Sequence, residues 1–328
     1  MNLAGLGPEA LAEAVIAGER RALARAITLC ESERAADFDA AERLLARLLP
    51  RAGGALRVGI TGPPGAGKST LIDALGLLVI AHGHAVAVLA VDPSSQKSGG
   101  SILGDKTRMT RLGAAPQSFI RPSPSGGASG GVTRHTREAV AICEAAGFGV
   151  VIVETVGVGQ TEQAVADVVD VVALVLQPGA GDELQGMKRG ILEVADVVVV
   201  NKADGAERER AERAAGELRG ALSLFTRAVG GGAPSVLCAS ALSEQGVPEL
   251  WGALEGARER ARASGALDRR RKAGLRAWLE DEIKDGLASR VAGGEHAGER
   301  LHDLERLVEA GVLTPRRAAR QFLESASG

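Results

Sequence analysis

Six short apolar segments between residues 57 and 239 constrain the fold of this chain more than any other feature. They lie at 57–61, 85–91, 148–154, 169–176, 197–201 and 235–239. Each is nearly continuously apolar, which is typical of strands that are buried on both faces of a parallel sheet. Amphipathic stretches separate the segments and predict helices that cover the sheet. The sequence therefore predicts an α/β fold with a mostly parallel sheet covered by helices.

Helical segments are predicted on both sides of this α/β core. Apolar residues recur at helical spacing through 8–49, where Pro8 suits a first helical position and 35–49 forms a second helix. After Trp251 the strand pattern stops. Helices are then predicted at 248–264, 268–291, 299–310 and 315–325. We expect an N-terminal helical extension at 1–50, an α/β domain at 51–264 and a C-terminal helical arm at 265–328.

The composition argues against several classes of partner. The 328 residues carry a formal net charge of -2, which gives no electrostatic basis for nucleic-acid binding. Aromatic residues make up only 2% of the chain, too few for a base-stacking surface. The longest apolar runs, of about seven residues, are too short to cross a bilayer. Three widely separated cysteines, Cys30, Cys143 and Cys238, indicate no disulfide framework. We expect a cytoplasmic protein that binds neither nucleic acid nor membrane.

A phosphate-binding motif follows the first predicted strand. The string GPPGAGKS at 62–69 fits G-x-x-x-x-G-K-[ST], and a helix is predicted from Ser69 to His82. Glycines in such a loop let backbone N–H groups converge on phosphate oxygens, and the helix N-terminus adds partial positive charge. We expect Lys68 to reach the β- and γ-phosphates and the Ser69 hydroxyl to ligate Mg²⁺. The predicted nucleotide-binding residues here are Gly62, Pro63, Pro64, Gly65, Ala66, Gly67, Lys68, Ser69 and Thr70.

A second motif predicts which base is bound. The tetrapeptide NKAD at 201–204 ends the Val-rich strand, where loops form the ligand crevice of a parallel sheet. The Asp204 carboxylate can accept hydrogen bonds from the N1–H and the 2-amino group of guanine, whereas adenine has an acceptor at N1. We expect Asn201 to tie neighbouring loops to the base and Lys202 to lie over the face of the base. The backbone of Ser240 and Ala241, after the last predicted strand, is expected to contact guanine O6.

Three acidic residues are candidates for the metal and catalytic site. Asp92 and Glu154 lie at the ends of predicted strands, and Asp105 lies in a glycine-rich loop that could close over a nucleotide. A carboxylate there can bind Mg²⁺ directly or through water, although an acid at a strand end can also simply cap a helix. We expect Ser69, Asp92, Asp105 and Glu154 around the metal. Together with Lys68, the three acids form the predicted catalytic group.

The sequence predicts slow hydrolysis. Phosphoryl transfer needs positioning and charge stabilisation from the protein rather than covalent chemistry. The Gly157 N–H is expected to contact the γ-phosphate. Val158 follows where many GTPases have a glutamine that orients water, and the nearest glutamine is Gln160. No internal arginine finger can be assigned, although Arg108 and Arg111 lie near the glycine-rich loop. We therefore expect a GTPase that is slow alone and accelerated by a partner.

Five further strings resemble one family of GTPases. They are VDPSS at 91–95, GGSILGDKTRM at 99–109, FIRPSP at 119–124, VETVGVGQ at 153–160 and PGAGDELQG at 178–186. With the two motifs above, they resemble the MeaB/ArgK-type GTPases over about residues 57–205, and the flanking helices are compatible with that family's extensions. The resemblance implies a P-loop GTPase core with N-terminal and C-terminal helical extensions. It also implies a C-terminal arm that supports a homodimer.

Members of this family are G-protein chaperones of adenosylcobalamin-dependent methylmalonyl-CoA mutase and related acyl-CoA mutases. The resemblance implies that this chain binds GTP or GDP with Mg²⁺ and gates cofactor loading and protection of such a mutase. The family's phosphate and metal residues resemble Lys68, Ser69, Asp92, Asp105 and Glu154. Its guanine residues resemble Asn201, Lys202 and Asp204, and its switch segments resemble 92–109, 154–166 and 177–189.

Three other functions stay open at the level of sequence. A P-loop metabolite kinase would share the phosphate loop and the sheet, and a preference for ATP would favour it. A metal-insertion GTPase would place Cys or His ligands near the nucleotide, whereas the cysteines here are dispersed and His82 and His84 lie in a helix-end turn. A structural partner would bind nucleotide without hydrolysis, and phosphate release measured with and without a mutase would identify it.

Overall fold

Parallel strands form the centre of the protein in a computed structural model. The structure describes residues 6–32, 34–92, 109–124, 134–155, 165–179, 194–223, 233–292, 297–310 and 312–326. The strands are β1 (Leu56–Thr61), β2 (Val86–Asp92), β3 (Ser118–Pro124), β4 (Val150–Thr155), β5 (Val171–Leu176), β6 (Val197–Val200) and β7 (Ser235–Cys238). They form a 7-stranded sheet in the order β3-β2-β4-β1-β5-β6-β7, and every ladder is parallel. The predicted parallel α/β fold is confirmed.

Strand β3 was not among the predicted strands. It contains Pro122 and Pro124, and proline has no N–H to donate to a ladder. In the structure β3 lies at the edge of the sheet, where it pairs only with β2. An edge strand tolerates proline because one of its sides has no ladder to complete.

Helices lie before, between and after the strands. They are α1 (Pro8–Ile16), α2 (Arg20–Cys30), α3 (Ala35–Leu48), α4 (Lys68–Ala81), α5 (Thr110–Ala114), α6 (Arg134–Ala145), α7 (Arg208–Ser223), α8 (Val247–Ala263), α9 (Ala266–Ala292), α10 (Ala297–Glu309) and α11 (Pro315–Ala326). The helical pattern that begins at Pro8 is interrupted by Gly18, whose φ of 79° lies in the left-handed region, so α1 and α2 are separate helices.

Apolar layers cover both faces of the sheet. On one face, α1, α2, α3 and α6 share a buried core with β2 and β4. On the other face, α4, α5 and α8 pack against β1, β2 and their neighbours. Helix α7 packs separately on β5 and β6. Strands β1, β2, β4, β5 and β6 are buried on both faces, and before their last two residues they carry one charged side chain, Arg57.

Buried ion pairs close the amino edge of the sheet. Arg57 of β1 forms a pair with Glu144 of α6, with 2.7 Å between Nη2 and Oε2. Asp170, just before β5, has a fully buried side chain and pairs with Arg271 of α9 at 2.7 Å. The hydrogen bond to Asp170 raises the pKa of Arg271. The ionic contacts at this edge therefore hold the start of α9 against the strands, away from the carboxyl edge.

The chain divides into two compact units, Met1–Gly274 and Leu275–Gly328. The first contains the sheet, and the second consists of the rest of α9 with α10 and α11. Among the described residues, no helix combines the length and the apolar character needed to cross a membrane.

Candidate nucleotide site

The strand order creates a crevice beside β1. The chain leaves β1 for β2 on one side, and β4 leads to β5 on the other side of β1. In open parallel sheets, ligands bind at the carboxyl ends of the strands at such a reversal. The loop after β1 is the predicted phosphate loop, and Glu154 lies near the end of neighbouring β4.

Three glycines give the phosphate loop its shape. Gly65 and Gly67 have φ values of 80° and 87°, which residues with a side chain rarely adopt. A Cβ on Gly62 would lie 2.0 Å from the Val175 carbonyl oxygen, so the loop leaves β1 in close contact with β5. Helix α4 begins at Lys68 without a side-chain cap on its first N–H groups. This arrangement is typical of an anion-binding helix N-terminus.

Lys68 and Ser69 have defined partners at this helix start. The Lys68 ammonium is buried and donates to the carbonyl oxygens of Gly62 (2.7 Å) and Pro63 (3.0 Å). The Ser69 hydroxyl donates to Glu154 Oε1 at 2.8 Å. Glu154 is 2% exposed. The structure therefore brings three of the predicted phosphate and metal residues together. Ser69 and Glu154, which are in direct contact, are 85 positions apart in the chain.

Asn201 joins the base motif to the phosphate loop. Its buried side-chain amide donates to the Ala66 carbonyl oxygen at 2.8 Å, and its Oδ1 accepts from the Ala241 N–H at 3.3 Å. A Cβ on Gly67 would lie 2.5 Å from Asn201 Nδ2, so Gly67 is also required for this close approach. The phosphate loop, residues 201–204 and the loop after β7 thus meet at one side chain.

Asp204 is oriented by a side chain whose role the sequence did not indicate. The buried Ser240 hydroxyl donates to Asp204 Oδ1 at 2.7 Å and accepts from the Ser243 N–H at 3.1 Å. The prediction assigned only backbone contacts to Ser240 and Ala241. Strands β6 and β7 are neighbours in the sheet. A prediction of that pairing would have placed the loop that contains Asp204 beside the loop that contains Ser240.

Lys202 lies between the phosphate loop and the end of β5. Its ammonium donates to Gln177 Oε1 at 3.2 Å, and its Cε lies 3.8 Å from the Cβ position of Gly67. Lys202 has a positive φ of 60°, which is uncommon for a residue other than glycine. Gln177 is the first residue of the switch segment 177–189 that the resemblance implies, and its contact with Lys202 was not predicted.

Threonine hydroxyls form another contact that the sequence did not predict. Thr155 Oγ1 donates to Thr61 Oγ1 at 2.9 Å, and both side chains are buried. Thr61 immediately precedes the phosphate loop, and Thr155 immediately follows Glu154.

Some predicted site residues are placed only in part. Asp92 is the last residue of β2, two positions beyond Ala90, which pairs with Glu154, so its backbone lies at the same edge of the sheet. Asp105 lies outside the described residues, as do Arg108, Gly157, Val158 and Gln160. The switch segments 92–109, 154–166 and 177–189 are described only at their ends.

Arg111 contacts the base side of the site. Its guanidinium pairs with Glu244, in the loop after β7, at 2.7 Å, and both side chains are more than half exposed. Glu244 has a φ of 61°. This pair connects the start of α5 with the loop that contains Ser240.

The described cysteines and histidines do not form a metal cluster. No group of three or more His, Cys, Asp or Glu residues among the described residues could hold a metal ion. Burial raises the pKa of the Cys143 thiol and of the Cys238 thiol, which keeps both protonated at neutral pH. His82 Nδ1 lies 2.8 Å from the Leu78 carbonyl oxygen, and the His84 ring lies 6.1 Å from that of Trp251.

Comparison with known proteins identifies close relatives across nearly the whole chain. A probable GTPase of Mycobacterium tuberculosis is 51% identical over 319 residues, which cover 97% of this chain and 95% of the relative. GTPase ArgK of Escherichia coli is 43% identical and covers 94% of this chain and 93% of its own length. The mitochondrial methylmalonic aciduria type A homolog of Mus musculus is 43% identical, with coverage of 95% and 77%.

A solved structure and a family model agree with these relatives. The crystal structure of an LAO/AO transport system kinase matches with a TM-score of 0.74 and 35% identity, over 100% of this chain and 99% of that one. The family model described as methylmalonyl-CoA mutase-associated GTPase MeaB matches residues 23–296. The chain therefore belongs to the MeaB family of mutase-associated GTPases.

Proposed function

We propose that this protein is a GTP-binding, GTP-hydrolysing chaperone that gates the loading of adenosylcobalamin into methylmalonyl-CoA mutase, or a related acyl-CoA mutase, and protects that enzyme. The observation that carries the nucleotide part is the Asn201 amide, which joins the guanine motif to the phosphate loop at 2.8 Å. A phosphate cradle and a base-reading carboxylate on the same edge of the sheet suit one guanine nucleotide.

Each end of the nucleotide has its own residues. The phosphates are bound by N–H groups of the loop from Gly62 to Gly67, by Lys68 and by the N-terminus of α4. The Asp204 carboxylate, held by Ser240, accepts two hydrogen bonds from guanine. Lys202 covers the base with its aliphatic stem. The shared edge fixes the distance between base and phosphates.

Magnesium fits the oxygen atoms at the phosphate end. The Ser69 hydroxyl and the Glu154 carboxylate lie 2.8 Å apart at the helix N-terminus, and oxygen ligands are those that Mg²⁺ prefers. Ser69 would ligate the ion, with Glu154, Asp92 and Asp105 as direct or water-mediated ligands. When bound, Mg²⁺ neutralises charge on the β- and γ-phosphate oxygens.

Slow hydrolysis fits the contacts of Lys68 and the sequence that follows Glu154. Lys68 is held at the loop by two carbonyl oxygens, so it is already positioned to stabilise charge on the transferred phosphoryl group. Val158 replaces the water-orienting glutamine, and Arg111 is engaged with Glu244. A partner that orders the segment around Val158 or supplies a cation would accelerate the reaction.

The proposed client follows from the relatives. The family model is described as methylmalonyl-CoA mutase-associated, and the mouse relative is named for methylmalonic aciduria. GTP and GDP differ only in the γ-phosphate, so a client must respond to loop conformations that this phosphate sets. We propose that the segments 92–109, 154–166 and 177–189 present those conformations to the mutase.

The C-terminal arm at 265–328 is proposed to form a homodimer. Leu275, Leu279, Ile283 and Leu287 recur every four residues on α9 and are between 53% and 61% exposed. Such a stripe lies along one side of a helix. A matching stripe on a second copy would cover it. Residues 1–50 are proposed to form the N-terminal helical extension, and residues 51–264 the GTPase domain.

The test combines capture and catalysis. The purified protein, loaded with a non-hydrolysable GTP analogue, is immobilised and exposed to purified methylmalonyl-CoA mutase, with GDP loading as the control. We expect the amount of retained mutase to differ between the analogue-loaded and the GDP-loaded protein. We also expect faster phosphate release from GTP when the mutase is present. Equal retention in every nucleotide state together with unchanged phosphate release would overturn the chaperone proposal. Binding of GTP without any phosphate release would favour the structural-partner alternative.

A further inference from the structure

The two threonine hydroxyls between β1 and β4 lie where the strands stop pairing. The β1–β4 ladder runs through five residue pairs and ends with Ile60 opposite Glu154. Thr61 and Thr155 are the next residues on each strand. Their Oγ1 atoms are 2.9 Å apart, and the exposed fraction of each residue is 1% or less. The strand ends are therefore joined by a side-chain bond just beyond the backbone ladder.

Both threonines adjoin residues of the proposed site. Thr61 immediately precedes Gly62, the first residue of the phosphate loop, and Thr155 immediately follows Glu154. Glu154 accepts a second link from the Ser69 hydroxyl of α4 at 2.8 Å. Two side-chain bonds thus connect the end of β4 with the phosphate loop and the helix that follows it.

These two bonds differ in their dependence on ligand. On the proposed function, Ser69 Oγ binds Mg²⁺, so the position of Ser69 changes with the metal and the nucleotide. The Thr61–Thr155 bond involves neither the proposed metal ligands nor the phosphate-binding N–H groups. It therefore does not compete with Mg²⁺ or with the nucleotide for either hydroxyl.

We propose that Thr61 and Thr155 are positioning residues: their hydroxyl link holds Glu154 at a fixed place relative to the phosphate loop and thereby sets the affinity for Mg²⁺ in the nucleotide complex. This inference rests on the proposed function. A purely structural role would affect the stability of the β1–β4 edge alone. A positioning role affects the Mg²⁺ response while nucleotide binding without metal is retained.

Threonine-to-valine variants test the link because valine keeps the shape and removes the hydroxyl. Thr155→Val and Thr61→Val are compared with Thr136→Val, which alters another buried threonine on α6. Affinity for a fluorescent GDP analogue is measured in EDTA and during an Mg²⁺ titration, and Tm is measured in parallel. We expect each site variant to weaken the apparent Mg²⁺ affinity roughly three- to tenfold, the usual effect of one buried hydrogen bond, while affinity in EDTA stays within about twofold. The control variant should match the wild type.

Two additional variants separate positioning from packing. Thr155→Ser retains a hydroxyl and should restore the Mg²⁺ affinity even though it removes a methyl group. The double variant Thr61→Val/Thr155→Val leaves no unpaired hydroxyl, so its Tm should exceed that expected from adding the two single effects. Its Mg²⁺ affinity should remain as weak as that of either single variant.

The outcomes distinguish this inference from the function on which it rests. A wild-type protein that does not bind the guanine nucleotide would overturn the proposed function and, with it, the inference. A wild-type protein that binds the nucleotide with an affinity that does not respond to Mg²⁺ would overturn the inference alone. A normal wild-type response with single variants that match Thr136→Val would overturn the inference alone. The same holds if the double variant regains wild-type Mg²⁺ affinity along with its Tm, or if Thr155→Ser fails to restore that affinity.

Discussion

Base recognition at the residue scale centres on the Asp204 carboxylate. The smallest change that removes its charge is Asp204→Asn. The variant should bind GTP about 30- to 150-fold more weakly, because a charge-assisted bidentate contact contributes about 2–3 kcal/mol. Glu207→Gln, at an exposed acid in the following turn, is the matched control and should change nothing. Isothermal titration calorimetry measures both, and unchanged GTP affinity in Asp204→Asn would contradict the assignment of guanine contacts.

Ser240 extends this prediction to the side chain behind Asp204. Ser240→Ala removes the hydroxyl that donates to Asp204 Oδ1 and leaves the Ser243 N–H without that acceptor. We expect roughly three- to tenfold weaker GTP binding, with GDP weakened equally, because the base is common to both nucleotides. Competition binding with the two nucleotides measures the ratio. A variant that loses affinity for GTP alone would place Ser240 at the phosphate end of the site instead.

The motifs were visible in the sequence because their residues are contiguous. Residues 62–69 carry their own glycines and lysine, and residues 201–204 carry both an amide and a carboxylate. The contacts that orient these groups were not visible, because they join distant positions. Thr61 and Thr155, for example, are 94 residues apart, and neither was singled out. Ser69 and Glu154, 85 residues apart, were expected at the same metal, but their direct hydrogen bond was not. Only the strand order brings such pairs together.

Among the elements, the sheet was predicted where burial controls the composition of a strand. Strands β1, β2, β4, β5 and β6 read as apolar runs because helices cover both of their faces. Strand β3 did not, because prolines interrupt its pattern and its edge position allows them. The division between α1 and α2 depends on one left-handed glycine, Gly18, which helical periodicity does not detect.

The start of α9 is attached to the sheet through Arg271, and this attachment can be measured. Arg271→Ala leaves the Asp170 carboxylate, whose side chain is fully buried, without its bidentate partner. We expect a loss of about 3 kcal/mol in the free energy of unfolding, typical of a broken buried pair. The control Arg262→Ala removes an exposed pair with Glu259 and should cost less than about 1 kcal/mol. Urea denaturation compares them, and equal midpoints would show that the buried pair does not stabilise this edge.

For the whole molecule, the exposed stripe on α9 predicts assembly. Leu279→Glu combined with Ile283→Glu places two charges in the middle of the stripe, where a second copy would have to bury them. We expect this variant to be monomeric at micromolar concentration while the wild type is dimeric. Phe38→Glu alters another exposed apolar side chain, on α3, and should leave the dimer intact. Light scattering gives the masses. A monomeric wild type would contradict the homodimer, and a variant that is still dimeric would contradict the stripe as its interface.

The central claim is that one edge of the sheet binds the phosphates and selects the guanine base of the same molecule. Calorimetric titration of the protein with GTP and with ATP, each with Mg²⁺, tests it most directly, with Lys68→Ala as the variant that should lose binding. We predict that GTP binds at least about a hundredfold more tightly than ATP, because adenine presents an acceptor at N1 to the Asp204 carboxylate and leaves it without a donor. Equal affinity for the two nucleotides, or a preference for ATP, would contradict this account.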